Sequence, residues 1–157
     1  MKQGNYMLTN KSRIKIDRSK IGYTKLADDT IILIRVAIFD IKEGELKPTG
    51  PDFRIGYNVS ISAEATQSLK NKVKEKPFPP PDGSHIKNLE IWEIIDIIEH
   101  DIAREEGIYK AKDNRIYRII VEIEPTIVAR TLEYKDPLGN PIYYVRWSPK
   151  IVVKLER

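Results

Sequence analysis

The strongest hydrophobic pattern in the chain lies between Asn88 and Glu106. Six isoleucines and Trp92 fall within this segment, which ends against Gly107. Ile91, Ile94, Ile95, Ile98 and Ile102 recur at the spacing of one helix face. The pattern therefore predicts one long amphipathic helix over 88–106, with a β-sheet packed on its apolar stripe.

The remaining apolar segments are short and favour strands. The run from Thr30 to Ile41 alternates little, which is typical of a strand buried on both faces. A buried Arg35 in its middle would need a partner, for which the acidic helix is one source. An exposed edge position and an anion contact are the alternatives for this arginine.

Regular alternation predicts further strands at 53–61 and at 115–124, with Pro125 ending the second. The segments 127–134 and 142–147 flank a loop that contains proline and glycine, and they predict a β-hairpin. A last short strand is expected at 151–155. Together these segments predict an antiparallel, twisted sheet.

A second, shorter helix is predicted from Ser62 to Lys76. Ser62 is a suitable N-cap, and Ala65, Leu69 and Val73 recur every four residues among several lysines. The predicted fold class is α+β: a twisted antiparallel sheet or partial β-barrel packed against one long helix and one shorter Lys-rich helix. We expect a single domain over 1–157, with 1–12 as a loose N-terminal arm.

Composition narrows the class of protein. Hydrophobic residues make up 41% and charged residues 32%, as in globular proteins, and no cysteine is present for disulfides or thiolate zinc sites. No apolar run reaches the roughly 18 residues that span a bilayer, and the first residues lack a signal-peptide core. These features predict a cytoplasmic protein that does not bind membranes.

The proportions of single residue types indicate a thermophile. Isoleucine outnumbers leucine 25 to 9, glutamine and methionine occur twice each, and charged residues are dense. The composition resembles that of small proteins of thermophilic archaea. Genome base composition is an alternative source of the isoleucine excess.

Charge is distributed unevenly along the chain. The net charge is +4, but 88–106 carries seven acids and one base, so this segment is −6 and the rest is +10. A basic body could attract polyanions. Contact between the basic surface of one copy and the acidic segment of another would use the same asymmetry.

One candidate for a metal site lies on the predicted long helix. Glu93, Asp96 and His100 would fall on one side of that helix, where carboxylates and an imidazole could bind Mg²⁺ or Mn²⁺. Such ions serve many phosphodiester-cleaving sites. The alternative is that these residues form the solvent face of the helix.

Leu89 and Trp92 fall on the acidic side of the same predicted helix. A helix that is apolar around so much of its circumference is either largely buried or has a second partner. The two residues are therefore predicted to pack in the core or to form an oligomer interface.

A candidate nucleic-acid surface combines aromatic and basic residues on two predicted strands. Its members are Arg54, Tyr57, Tyr144, Arg146 and Lys150. Single-stranded nucleic acids are bound by stacking of bases on aromatic rings beside Lys and Arg that contact phosphates. Alternation places Tyr144 and Arg146 on one face of their strand and Tyr143 and Trp147 on the other, core-like face.

Three functions follow from these patterns. The first is a non-enzymatic binding or assembly module that contacts nucleic acid through a basic aromatic β-surface. The alternatives are an oligomeric interaction protein using the second face of helix 88–106, and a divalent-metal-dependent nuclease or phosphodiesterase. No Gly-rich phosphate loop, HExxH or GxSxG motif is present to decide between them.

Overall fold

A computed structural model describes residues 14–156, and this part of the chain is mostly β-structure. Strands take up 64% of the residues and helices 8%, and no helix in the described range reaches seven residues. The predicted α+β class, with one long and one shorter helix on a sheet, is therefore wrong. The predicted arm at 1–12 lies outside the described residues.

Within residues 14–156, eleven strands and three short helical turns follow one another. The strands are β1 (Ile14–Lys20), β2 (Gly22–Leu26), β3 (Ile31–Lys42), β4 (Leu46–Lys47), β5 (Gly50–Pro51), β6 (Arg54–Glu64), β7 (Glu93–Ile95), β8 (Ile97–Asp101), β9 (Ala103–Lys110), β10 (Ile116–Lys135) and β11 (Pro141–Leu155). The helical turns are α1 (Gln67–Lys70), α2 (Ser84–Lys87) and a 3-10 turn over Leu89–Ile91.

Two antiparallel sheets enclose one hydrophobic core. The first sheet has the order β1-β9-β10-β11, with β7 also paired to β10, and the second has the order β6-β3-β2-β8. Strands β4 and β5 form a separate two-stranded ribbon. Side chains from both sheets meet in the core, among them Leu26, Ile32, Ile34, Val36, Ile119, Val121, Ile123 and Val128.

The chain passes from the second sheet to the first at Ile102, between β8 and β9. Gly22 lies directly against this crossing: a Cβ atom at this position would be 2.4 Å from the backbone nitrogen of Ala103. Only glycine allows β2 to approach the crossing so closely. The sheets are thus joined at one corner by a continuous chain.

The segment predicted as the long helix, 88–106, forms the 3-10 turn, β7, β8 and the start of β9. Isoleucine is β-branched, which restricts its rotamers in a helix and suits it to a strand. In a strand, two adjacent isoleucines point to opposite faces of the sheet. Ile95 is therefore buried at 8% exposure, whereas Ile94 is 64% exposed. Pairing of β7 with β10 and of β8 with β2 fixes this arrangement.

The Lys-rich helix predicted over 62–76 is also wrong, because only one turn, α1, forms there. Ser62 lies within β6, and the N-cap is Thr66, whose side chain accepts a hydrogen bond from the backbone N–H of Leu69 at 3.2 Å. Beyond α1 the chain runs beside β10, where the Lys74 N–H donates to the Leu132 carbonyl at 2.9 Å. This contact replaces the helix that the four-residue spacing predicted.

Strand β3 corresponds to the run predicted as buried on both faces, and that prediction is wrong. Its side chains alternate between buried and exposed along most of the strand, so only one face packs in the core. Arg35 points away from the core and has no ion pair with any residue from 14 to 156. The buried ion pair proposed for it is therefore absent from the described chain.

Strand β10 continues through Pro125, which was predicted to end it. The register with β11 shifts between Pro125 and Ile127. A β-bulge at this point tolerates proline, because the extra residue interrupts the hydrogen-bond ladder where proline has no N–H to donate. The result is a hairpin of two long strands, which carries Tyr144, Arg146 and Lys150 on β11.

Candidate nucleic-acid interface

The candidate interface lies on the outer face of the β10–β11 hairpin. Tyr144, Arg146 and Lys150 all point outward from β11, and Tyr144 has 68% of its surface exposed. Residues two apart in a strand lie on the same face and about 7 Å apart. Arg146 and Lys150 are therefore separated by roughly 13 Å along β11, with Tyr144 at one end of the row.

Apolar side chains lie beside this row on the neighbouring strands. Arg146 pairs in register with Ile127 of β10, and Tyr144 pairs with Ala129, which in turn pairs with Ile94 of β7. Ile94 and Ile127 are both exposed. The aromatic ring of Tyr144 thus stands at the margin of an apolar strip, a surface on which a flat base could rest.

The cations of this surface have no acidic partner among the residues described. Neither Arg146 nor Lys150 makes an ion pair there, although Glu122 lies opposite Lys150 in register. Glu122 is instead bound to Arg104, whose Nη1 is 3.3 Å from its Oε2. Arg146 and Lys150 are therefore available to an anion from solution.

A partly buried polar cluster fixes the strands beneath Tyr144. The Tyr143 hydroxyl donates to Asp28 Oδ2 at 2.7 Å and lies 2.6 Å from Thr30 Oγ1. Arg130, opposite Tyr143 in register, donates to Asp28 at 2.9 Å and to Glu93 at 2.9 Å. These bonds tie β10, β11 and β7 to the turn between β2 and β3.

The protonation of this cluster follows from its contacts. Burial alone would raise the pKa of Asp28, but hydrogen bonds from Tyr143, Thr30 and Arg130 outweigh it and lower that pKa. Burial, together with the hydrogen bond to Asp28, raises the pKa of Tyr143. For Arg130, burial is outweighed by the hydrogen bond and charge of Asp28, so its pKa is raised. Asp28 and Arg130 therefore form a charged ion pair at neutral pH.

The two other residues predicted for the surface lie elsewhere. Arg54 is exposed at the start of β6 in the second sheet, on the face that points away from the first. Tyr57 is half-buried, with its ring 6.3 Å from that of Trp147 in an edge-to-face contact. The structure therefore brings Tyr144, Arg146 and Lys150 together but separates them from Arg54 and Tyr57.

The residues predicted as metal ligands no longer share a helix face. Glu93 is paired with Arg130, Asp96 lies between β7 and β8, and His100 of β8 has its Nε2 3.6 Å from Glu124 Oε1. Within residues 14–156 no group of three or more His, Asp or Glu side chains is arranged to hold a metal ion. The helical spacing on which that prediction depended does not exist.

The predicted interface residues Leu89 and Trp92 belong to the 3-10 turn and its C-cap. Leu89 is 73% exposed, whereas the Trp92 indole donates from Nε1 to the His85 carbonyl at 3.0 Å. The helix face on which both residues were predicted to lie does not form, because residues 88–106 are a 3-10 turn and strands. In the described range, no helix is long and apolar enough to cross a membrane.

The Asp28–Arg130 pair was missed by sequence reasoning. The two residues are 102 positions apart, and Asp28 has the local signature of an ordinary turn. No spacing rule connects a turn residue with an arginine of a distant strand. Only the packing of the two sheets against each other brings them together.

The fold and this surface define a two-sheet antiparallel β-protein with an exposed aromatic and basic hairpin. No family model and no solved structure matches the chain. Over 86 residues it is 34% identical to the alanine–tRNA ligase of Latilactobacillus sakei, a match that covers 55% of this chain. The chain spans 8% of the length of that ligase.

Proposed function

We propose that this protein binds single-stranded nucleic acid on the outer face of β11. The observation that carries the proposal is the row of Tyr144, Arg146 and Lys150, exposed on one strand and without acidic partners in the described chain. The partial similarity to an enzyme that acts on a tRNA supports the same class of ligand.

The chemistry of the row suits a flexible strand better than a duplex. An aromatic ring can stack on an unpaired base whatever its sequence, at about 1–3 kcal/mol per base, while neighbouring cations contact the backbone. In a duplex the faces of the bases are stacked on each other and do not reach Tyr144. We therefore expect a preference for single strands with little dependence on sequence.

Binding of fluorescently labelled RNA and DNA oligonucleotides, followed by anisotropy, tests the proposal. Tyr144→Ala should weaken binding of a single strand by roughly 5- to 150-fold, the loss of one stacking contact. Phe39→Ala is the matched control, because Phe39 is an exposed aromatic residue on β3 of the other sheet. Its removal should leave the affinity unchanged.

Three results would contradict the proposal. One is an absence of binding at low salt. The second is binding that does not weaken as salt is added, since phosphate contacts release counterions and are salt-dependent. The third is an equal loss of affinity in Tyr144→Ala and Phe39→Ala, which would show that binding does not depend on a defined surface on β11.

A further inference from the structure

Strand β6 forms one edge of the second sheet. It pairs with β3 on one side, and within residues 14–156 no strand pairs with its other side. An unpaired edge presents backbone N–H and C=O groups that can accept another strand. The residues along β6 differ in type from those along the other edge strands.

The pairing register shows which backbone groups of β6 point outward. The Leu26 N–H donates to the Thr30 carbonyl, so even-numbered residues in β3 bond to β2 and odd-numbered residues bond to β6. The β6 partners of those odd residues are Asn58, Ser60, Ser62 and Glu64. The backbone groups of Tyr57, Val59, Ile61 and Ala63 are therefore directed out of the sheet.

One side chain already caps the end of this edge. Asn140, which is fully buried, donates from Nδ2 to the Ala63 carbonyl at 3.0 Å and accepts from the Ala65 N–H at 2.9 Å. These two bonds agree with the outward direction derived from the register. The outward groups of Tyr57, Val59 and Ile61 have no such cap from the described residues.

The other edge strands carry the protection that natural sheets use against pairing. Lysine, arginine or proline interrupts β1 (Lys15, Arg18, Lys20) and β11 (Arg146, Pro149, Lys150, Lys154), and β8 is short and charged. Between its terminal Arg54 and Glu64, β6 has no charge and no proline. A long unprotected edge of this kind is expected where a strand of another chain binds.

The sequence of β6 is complementary to itself when two copies run antiparallel about Val59. Arg54 then faces Glu64 of the second copy, at both ends of the pair. Gly56 faces Ser62 and Asn58 faces Ser60 on the outer side, while Tyr57 faces Ile61 on the core side. Ile55 faces Ala63, whose carbonyl already accepts from Asn140, so the backbone hydrogen bonds of the pair end at Tyr57 and Ile61 and Arg54 meets Glu64 through side chains alone.

Both ends of this register have charges that can pair. Arg54 is exposed and has no ion pair in the described chain, and the Glu64 side chain is 72% exposed, with Lys70 at 3.4 Å. Opposite charges across a strand pair stabilise it, and like charges destabilise it. The register also lets Val59 pair with its own copy through two hydrogen bonds, because its groups point outward.

We propose that two copies of this protein associate through β6, antiparallel and centred on Val59, so that their second sheets become one continuous sheet. The half-exposed core-side residues Tyr57, Val59 and Ile61 would then be covered by the same residues of the other copy. The arrangement has the two-fold symmetry common in homodimers.

Single cysteines test the register directly, because the chain has none of its own. In the proposed pair the two Val59 Cα atoms lie about 5.5 Å apart, within disulfide range. Val59→Cys should therefore form a covalent dimer on mild oxidation. Asn58→Cys is the control: it faces Ser60 of the other copy and should cross-link far less.

Charge reversal tests the ends of the pair by light scattering and sedimentation, with wild-type chain expected at twice 18.2 kDa. Arg54→Glu should raise the dimer dissociation constant by about tenfold, since it creates two like-charge pairs. Adding Glu64→Arg to the same chain restores both pairs and should restore the dimer.

A proline variant separates dimer loss from unfolding. Val59→Pro removes an N–H that points outward, so the fold should persist as a monomer, whereas Ser60→Pro removes a bond to β3 and should unfold the sheet. The proposal is overturned if the wild-type chain is monomeric at every concentration reached. It is equally overturned if Val59→Cys cross-links no better than Asn58→Cys, or if the charge swap fails to restore the dimer.

Discussion

The two ends of the outer face of the first sheet use their cations in opposite ways. At one end Arg104 and Arg118 both bind Glu106, with distances of 2.7 and 2.8 Å, and Arg118 also binds Asp17 and Glu156. At the other end Arg146 and Lys150 are unpaired within the described residues. Strand β10 contributes to both ends, through Arg118 at the first and through Ile127, which pairs with Arg146, at the second.

The difference lies in where the carboxylates are. Glu106 is buried at 3% exposure between the arginines, and a charge held away from water must keep its partners. Arg146 pairs in register with the apolar Ile127 of β10, so no carboxylate lies directly opposite its guanidinium. Cations at the first end hold strands together, and cations at the second end are available to a ligand.

The largest effect is expected at the paired end. Glu106→Gln removes the charge that both arginines share, and we expect it to lower the free energy of unfolding by about 3 kcal/mol. Urea denaturation measures this loss. Asp101→Asn is the matched control, because its ion pair with Lys20 at 2.8 Å is half exposed and should contribute far less.

Equal effects of Glu106→Gln and Asp101→Asn would contradict the distinction between buried and exposed pairs. A variant in which Glu106 becomes leucine sharpens the test. It leaves two arginines facing an apolar group, so it should be no more stable than Glu106→Gln.

A smaller effect is expected from acid at the polar cluster beneath Tyr144. The pKa of Asp28 is lower in the folded chain than its ordinary value of 3.8, so the stabilisation is complete above that value and is lost as pH falls through the folded pKa. The free energy of unfolding should therefore fall on acidification below about 4. Urea denaturation at a series of pH values measures it.

Asp28→Asn provides the comparison for this pH dependence. It should be less stable than the wild-type chain at neutral pH, because Arg130 loses a buried partner. The difference between the two proteins should shrink as pH falls, since Asp28 is then neutral in both. A constant difference at all pH values would show that the ionised carboxylate of Asp28 is not what stabilises the fold.

The sequence predicted the strands best where a hydrophobic pattern is compatible with only one kind of secondary structure. Strict alternation at 53–61 and 115–124, and a Pro- and Gly-containing loop between apolar segments, correspond to β6, β10 and the β10–β11 hairpin. The isoleucine run at 88–106 matched a helical period, but it also suited strands. The β-branched side chains, and pairing with β10 and β2, favour strands over a helix in this segment.

The candidate surface was predictable to the extent that it lies on one strand. Alternation alone places Tyr144, Arg146 and Lys150 on one face of β11. Alternation could not show that Arg54 belongs to the other sheet, because sheet membership is set by contacts between distant segments. The same limit explains why the Asp28–Arg130 pair went unnoticed.

The smallest effect on stability is expected at the unpaired end of the outer face. Replacing both Arg146 and Lys150 by alanine should leave the urea midpoint unchanged, because neither side chain has a partner in the described chain to lose. The same double variant should reduce the slope of log affinity against log salt by about 1.4 for a single-stranded ligand, or about 0.7 for each phosphate contact removed. Salt titrations of oligonucleotide binding measure that slope. The roles assigned to the two ends would be reversed if the double variant unfolded more readily than the wild type but kept the wild-type salt slope. Arg146 and Lys150 would then stabilise the fold and make no contact with the ligand.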